Sequence, residues 1–485
     1  MITEETLDPE NWEETRALGH RMLDDMMDYL QAIRERPAWK PIPDSVISQL
    51  RESFPENPEG AEKAYQDFLN LVLPYSTGST HPRFWGWVKG TGTATGMLSE
   101  MLAGALNLNT SSFNIASSYV ESQVLQWCKE LIGYPVEASG ILVSGGSMAN
   151  LVGLTVARNA KAGREVMRMG IQSQGPGLTL YGSTEMHSSI DKAVELLGLG
   201  DDALRKIRVG PDFQIDVEEL QKRIAEDKAL GFKPICVIGN TGTVNTGACD
   251  DLVSLASICK DEDLWLHVDG AFGAWASLSP QLKPLVQGME LADSIAFDMH
   301  KWMYVQYEIG CTLVRHPEQH HKTFAVGGTY LNGAQRGYSA GPVRWNEYGI
   351  QLSRGFRALK VWMSIKEHGV GKYRRLIQQN VEQARYLAHR ITESPHLALL
   401  APVPLNVVCF RFVDPQKSDA ELNFLNEEIL MQIQEAGIAI PSSTVINGHY
   451  AIRVAITNHR SRREDFDLLV KEVVGRGKVL ASPRT

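Results

Sequence analysis

Cysteine is sparse in this chain: six residues, at positions 128, 236, 249, 259, 311 and 409, with no Cys-x-x-Cys spacing. That pattern excludes the dense disulfide framework of a small secreted domain and the paired ligands of a structural zinc site. Reduced thiols, a cytoplasmic setting and no metal are expected. No apolar run approaches the about 20 residues that a membrane span requires. The opening MITEETLDPENWEETRALGH is acidic and polar, without the basic stretch and apolar core of a secretory signal. Positive charge is also in short supply. The 48 Lys and Arg against 57 Asp and Glu leave a net charge of −9, without the electrostatic footprint of a nucleic-acid binder. Internal repeats, low-complexity segments and long blocks of like charge are missing too. The composition points to a protein that handles small molecules.

What is present is a chain of 485 residues with 43% hydrophobic and 22% charged side chains, ordinary globular values. Single cores stop growing near about 250–300 residues, so one large domain with smaller ones attached is expected. Residues 1 to 85 read as a helical arm: Leu18, Met22, Met26 and Leu30 recur every four residues, Ala61 to Val72 repeats the style, and the stretch Arg36 to Pro43 separates them. Such an arm is too thin to hold its own core and needs another surface to pack against. From about residue 140, short strand-like runs alternate with helical patterns: ILVSG (141–145), LTLYG (178–182), KIRVG (206–210), PICVIGN (234–240), LWLHVD (264–269), SIAF (294–297) and CTLVR (311–315). That alternation predicts an α/β fold with a mostly parallel sheet covered on both faces, over residues 86–375. A long helix is expected from Gly355 through Lys366. The tail, 376–485, mixes strands (Leu405 to Phe412, Tyr450 to Val454) with helices (Ala420 to Ala436, Arg463 to Val474) and reads as a smaller α/β domain.

Four segments carry candidate chemistry. LWLHVDGAFGA ends an apolar strand on Asp269, at the carboxyl end where ligands sit in open α/β sheets. DSIAFDMHKW places Lys301 after another apolar strand, where an amine loses its proton readily and can condense with an aldehyde. ILVSGGSMANL runs a strand into Gly145, Gly146 and Ser147 and then into a helix, a phosphate cup of backbone N–H groups and one hydroxyl. It is neither a P-loop nor a GxGxxG fingerprint, which counts against ATP and NAD. STEMHSSIDKA brings His187 to the same edge, as a flat ring that could stack on a cofactor. Each feature alone has a bland explanation: an Asp cap, a surface lysine, a Gly-rich turn, a structural histidine. Together they supply what pyridoxal phosphate requires, a lysine for its aldehyde and a carboxylate for its ring nitrogen.

With these motifs the chain resembles the group II pyridoxal-phosphate amino-acid decarboxylases, of which the aromatic-L-amino-acid decarboxylases are the best-known type. HVDGAFGA followed by DMHKW is the most specific match. HPRFWGW (81–87), MLAGALN (101–107), MHSSIDKA (186–193), GTYL (328–331), SRGFRALKVW (353–362) and IRVAITN (452–458) extend it. The resemblance implies a type I PLP fold and a homodimer with its active site at the subunit interface, wrapped by the N-terminal arms. By position, Lys301 would bond to the cofactor aldehyde, Asp269 would hold the ring nitrogen, and His187 and Ala271 would pack on the two ring faces. Gly145, Gly146, Ser147 and His300 would hold the phosphate, with Asp298 beside them where the aromatic enzymes have Asn. Tyr330 matches the position credited with returning a proton to Cα, in a Gly-rich stretch with the texture of a lid from the neighbouring subunit.

The departures concern substrate. The side-chain pocket would be lined by Trp87, Lys89 (for a proline), Tyr307 (for a phenylalanine) and, from the opposite subunit, Asn109 and Ser111. Val244 stands where a threonine is usual. An aromatic L-amino acid is the expected substrate, with an acidic one (glutamate, aspartate or cysteine sulfinate) as the alternative that Lys89 suggests. An aldehyde synthase would carry Phe at 330. An aminotransferase would need an arginine for the substrate carboxylate, with Arg453 and Arg357 as candidates. A non-catalytic binding protein would have lost Lys301, Asp269 or His187.

Overall fold

The computed structural model describes residues 5–174, 177–325 and 334–482. Twelve strands form two sheets: β1 (Phe84–Trp85), β2 (Ser139–Val143), β3 (Leu178–Ser183), β4 (Leu204–Ile207), β5 (Lys233–Asn240), β6 (Trp265–Asp269), β7 (Ser294–Asp298), β8 (Gly310–Val314), β9 (Leu397–Leu399), β10 (Val407–Phe412), β11 (Ile440–Ile446) and β12 (His449–Ala455). The large sheet has seven strands in the order β2-β8-β7-β6-β5-β3-β4. Its β7, β6, β5, β3 and β4 run parallel, and β8 lies antiparallel between β2 and β7.

All seven runs read as strands in the sequence are strands of this sheet. Their composition explains why. β6 and β7 are buried along their whole length, so both faces need cover. The helices Gly146–Ala162, Val217–Ala229 and Leu252–Asp261 supply part of that cover in crossover connections. Each helix buries one apolar stripe, such as Leu252, Leu255, Ile258 and Cys259. The latter two helices start on aspartate caps, where the side chains of Asp216 and Asp251 accept from first-turn N–H groups.

The small sheet has the order β1-β11-β12-β10-β9. Its edge strand β1 comes from the far end of the expected N-terminal segment and pairs parallel with β11. Chain that enters the large sheet only later is thereby stitched to the C-terminal unit. The helix expected after Gly355 runs from Ala358 to Thr392, with Gly369 non-helical inside it at φ 66°, ψ 151°. The N-terminal helix Trp12–Gln31 buries only Leu18 and Tyr29, and Met22, Met26 and Leu30 stay half-buried. No helix among the described residues is long and apolar enough to cross a membrane.

Candidate active site

The carboxyl ends of β2, β5, β6 and β7 open on a cavity of about 440 Å³. Parallel strands end at one edge of the sheet, so Asp269, last residue of β6, and Asp298, last residue of β7, face the same crevice. The cavity is lined by Gly145, Gly146 and Ser147 after β2, by His187 after β3, and by Asp269, Ala271, Asp298, His300 and Lys301. These are the nine cofactor residues expected from the sequence, in one space. Trp87, Lys89 and Tyr307 of the expected substrate pocket line it too, with Val244, Phe272 and Glu308.

The Lys301 ammonium lies 2.9 Å from Asp298 Oδ2, and His300 Nε2 lies 3.8 Å from the same oxygen. The Asp298 carboxylate is buried, and neither of its oxygens receives a directed hydrogen bond. Glycines make room for it. A Cβ on Gly146 would lie 2.8 Å from Asp298 Oδ2 and 3.6 Å from the Ala271 Cβ, and one on Gly145 would lie 3.2 Å from His300 Cε1. The helix Gly146–Ala162 starts at this cradle, and its first-turn N–H groups have no acceptor within the helix. Helix N-terminus, bare glycines and the Ser147 hydroxyl together fit a phosphate, with Lys301 and His300 as cations or donors against the Asp298 charge.

His187 Nδ1 accepts from the Ser189 N–H at 3.1 Å and lies 2.9 Å from Ser189 Oγ. Because the backbone N–H can only donate, the ring proton sits on Nε2. Burial lowers the His187 pKa, so the ring presents a neutral, flat face to the cavity. Burial likewise lowers that of His300, whose Nδ1 is held against the Ile309 backbone at 2.9 and 3.1 Å. Asp269 is buried and accepts from the Ala271 N–H at 3.0 Å and from Asn150 Nδ2 at 2.9 Å. The donor set therefore fits pyridoxal phosphate: an amine, a buried carboxylate with free lone pairs, a neutral ring and a phosphate cradle.

The pocket wall is anchored from the small sheet. Trp87 holds a left-handed backbone (φ 55°), its N–H donating to Ser442 Oγ and its carbonyl accepting from Arg453 Nη1 at 2.9 Å. The Arg453 guanidinium also donates to the carbonyls of Val244 and Asn245, and burial lowers its pKa to about 10. Its donors point at backbone carbonyls and the Ser442 hydroxyl, and Arg453 does not line the cavity. Arg357 pairs with Glu308 at 3.3 Å and is likewise absent from the lining. Neither arginine is at the cavity lining, where an aminotransferase would need one for the substrate carboxylate. Lys89 Nζ sits 4.9 Å from the Trp87 ring centre and 5.6 Å from that of Phe84.

Three expected residues are not brought together with these. The Asn109 side chain accepts from the Arg354 N–H at 2.9 Å, and Ser111 is buried beside Trp345, both away from this cavity. Tyr330 lies outside the described residues. Two residues the sequence reading passed over, Asn150 and His267, sit directly behind Asp269. The signal was there: His267 is a polar residue inside an apolar strand, two positions before Asp269 and so on its face of the sheet.

A mostly parallel sheet with lysine, carboxylate and phosphate cradle at its carboxyl edge defines an α/β enzyme built around pyridoxal phosphate. Residues 43–413 match the pyridoxal-dependent decarboxylase conserved domain. The chain is 34% identical over 459 residues to an aromatic-L-amino-acid decarboxylase of Bacillus atrophaeus, covering 93% of each. It is 29% identical over 478 residues to a phenylacetaldehyde synthase of Petunia hybrida, covering 94% of this chain and 92% of that one. The fold superposes on Oryza sativa TDC solved with PLP and tryptamine, with a TM-score of 0.90 at 23% identity, over 98% and 100% of the two chains. The chain belongs to the pyridoxal-dependent decarboxylase family, carboxy-lyases that release CO2 from amino acids with PLP as cofactor.

Proposed function

We propose that this enzyme converts an aromatic L-amino acid to the corresponding amine and CO2. The observation that carries the reading is the cavity wall: Trp87, Phe272 and Tyr307 present aromatic surface within the same space as Lys301 and Asp269. An aromatic side chain gains most from such a wall. When bound, pyridoxal phosphate supplies an aldehyde for amine condensation and a conjugated ring that takes up the electron pair left as CO2 departs. The chain's own residues do the rest. Lys301 offers the amine that would hold the cofactor aldehyde. Asp269, buried and oriented by the Asn150 amide, would hold the ring nitrogen by a hydrogen bond. His187 and Ala271 confine the ring between them, and the Gly145–Ser147 cradle fixes the phosphate. Tyr330 delivers a proton to Cα, which favours an amine over an aldehyde as product.

The homodimer belongs to the same proposal. The helix Ala94–Leu106 exposes Met101, Leu102 and Leu106, and Tyr119, Ile350 and Leu352 are exposed as well. That apolar surface, with the half-buried stripe of the N-terminal helix, supports a second copy as its cover, with Asn109, Ser111 and Tyr330 serving the partner's cavity. Division into segments 1–85, 86–375 and 376–485 is proposed with it. The six unpaired thiols, all buried, support a cytoplasmic location.

A second reading, an acidic substrate, rests on Lys89: it stands over two rings at the cavity wall, and no carboxylate lies within ion-pair distance of it among the described residues. Incubating the PLP-loaded protein in air with aromatic and acidic L-amino acids, then identifying products by mass spectrometry, decides. Aromatic amines without aldehyde are expected. An amine from an acidic amino acid alone would replace the substrate reading. Aldehyde with peroxide and ammonia would overturn the role of Tyr330.

A further inference from the structure

A buried hydrogen-bonded chain runs behind Asp269. Trp265 Nε1 donates to Ser294 Oγ at 2.8 Å, Ser294 Oγ lies 2.8 Å from His267 Nδ1, and His267 Nε2 lies 2.9 Å from Asn150 Oδ1. Asn150 Nδ2 then donates to Asp269 Oδ2 at 2.9 Å and to Ser189 Oγ at 3.1 Å. Trp265, Ser294, His267 and Asn150 are all buried, so each polar atom must find its partner within the protein.

The donor order in this chain is determined from its far end. An indole N–H can only donate, so Ser294 accepts from Trp265, and among its hydrogen-bond contacts His267 Nδ1 is the acceptor left for its own hydroxyl proton. Burial depresses the His267 pKa to about 4, so the ring is neutral and its single proton is on Nε2. That proton requires the oxygen of the Asn150 amide, which leaves the NH2 group facing Asp269. With the amide reversed, two N–H groups would face each other at one end and two acceptors at the other. The backbone has made way for this arrangement. A Cβ on Gly153, one turn along the helix from Asn150, would lie 2.6 Å from His267 Cε1.

We propose that His267 and Asn150 are positioning residues for the cofactor: the relay locks the Asn150 amide as a donor, and that donor holds the Asp269 carboxylate oriented toward the ring nitrogen. A buried carboxylate with no fixed donor is free to turn away from the ring. His267 thus acts on the chemistry through two side chains without touching the cavity. The inference rests on the reading of Asp269 given above.

The test compares His267→Phe, His267→Gln, Asn150→Ala and Asp269→Ala in the full chain. Each is stripped of cofactor and titrated with pyridoxal phosphate by tryptophan fluorescence, with kcat and KM of the reloaded enzymes alongside. His267→Phe and Asn150→Ala are expected to weaken cofactor binding about tenfold or more and to lower kcat with little change in KM. The Gln variant, which can present an N–H near the Nε2 position, should recover most of the affinity. Equal loss in the Phe and Gln variants would mean packing alone and would overturn the proposal. So would binding within about twofold of the parent in Asn150→Ala, which decides the matter even if the histidine variants fail to fold. If Asp269→Ala binds as the parent does, the role of Asp269 falls, and the relay with it. If only Asp269→Ala weakens, the relay alone falls.

Discussion

At Gly146 one missing carbon decides whether the cradle exists. Its Cβ would press on Asp298 Oδ2 and approach the Ala271 Cβ. Asp298 ends β7, its N–H donates to the Ala271 carbonyl at 2.9 Å, and its buried carboxylate is paired with Lys301, so it has little room to turn away. Overpacking of this kind costs about 1–3 kcal/mol. Gly146→Ala is therefore expected to lower the stability of the cofactor-free protein by about that amount in urea unfolding and, by displacing the cradle, to raise the dissociation constant for pyridoxal phosphate about tenfold or more, read by fluorescence titration. An unchanged constant would mean that the phosphate sits elsewhere. At the same scale, the sequence was most legible where a residue type is rare in its setting. Asp269 stands out because it ends an apolar strand, and Lys301 because it closely follows one. Asn150 does not, because an asparagine inside a Gly- and Ser-rich helix start looks like capping until its partner His267, far along the chain, is known.

Among elements, the large sheet was readable because its strands are short apolar runs between polar helices, and two-sided burial leaves that signature undiluted. The strand β8 was found, but not its antiparallel course between β2 and β7, since pairing direction is set by the connections and not by strand composition. The small sheet was half visible. β10 (VVCFRF) and β12 (HYAIRVA) are mainly apolar runs, whereas β11 (IPSSTVI) is interrupted near its start by a proline and two serines, and β1 and β9 have two and three residues. Such short edges are held by their neighbours: β1 exists because Phe84 and Trp85 pair with Ile440 and Pro441. The helix after Gly355 outran its expected end at Lys366 and passes through Gly369. In the structure Gly369 is a break inside one element, with φ 66° and ψ 151°, a combination open almost only to glycine. Gly369→Ala meets no atom within 4 Å, so its cost is backbone strain alone. A loss of about 1–3 kcal/mol in urea unfolding is expected. A stabilised protein would show instead that the helix straightens through this point, where alanine is the better residue.

For the whole molecule, two properties follow from what is buried and what is left open. His81, His267, His320 and His459 are each held near pKa 4 against an ordinary 6.5, in every case chiefly by burial. Above about pH 6.5 they are neutral whether folded or unfolded and contribute nothing to a pH slope. Below it the unfolded chain binds protons that the folded chain refuses, so stability falls from about pH 6.5 down to about pH 4, by up to about 1.4 kcal/mol per pH unit for each histidine. Urea midpoints measured between pH 7 and 4.5 check this, and a flat profile would refute it. The open property is the cavity, which holds Lys301 and Asp269 on one chain and, in the proposed dimer, awaits Tyr330 from the other. Lys301→Ala and Tyr330→Phe subunits, each unable to form amine alone, separate the two arrangements. If the tyrosine acts across the interface, a mixed dimer has one site with both substitutions and one with neither. Unfolding and refolding an equal mixture should then restore about a quarter of the parent's amine-forming activity, since half the dimers are mixed and half their sites are intact. If Tyr330 serves its own chain's cavity, every site in every dimer carries one substitution, and mixing restores nothing.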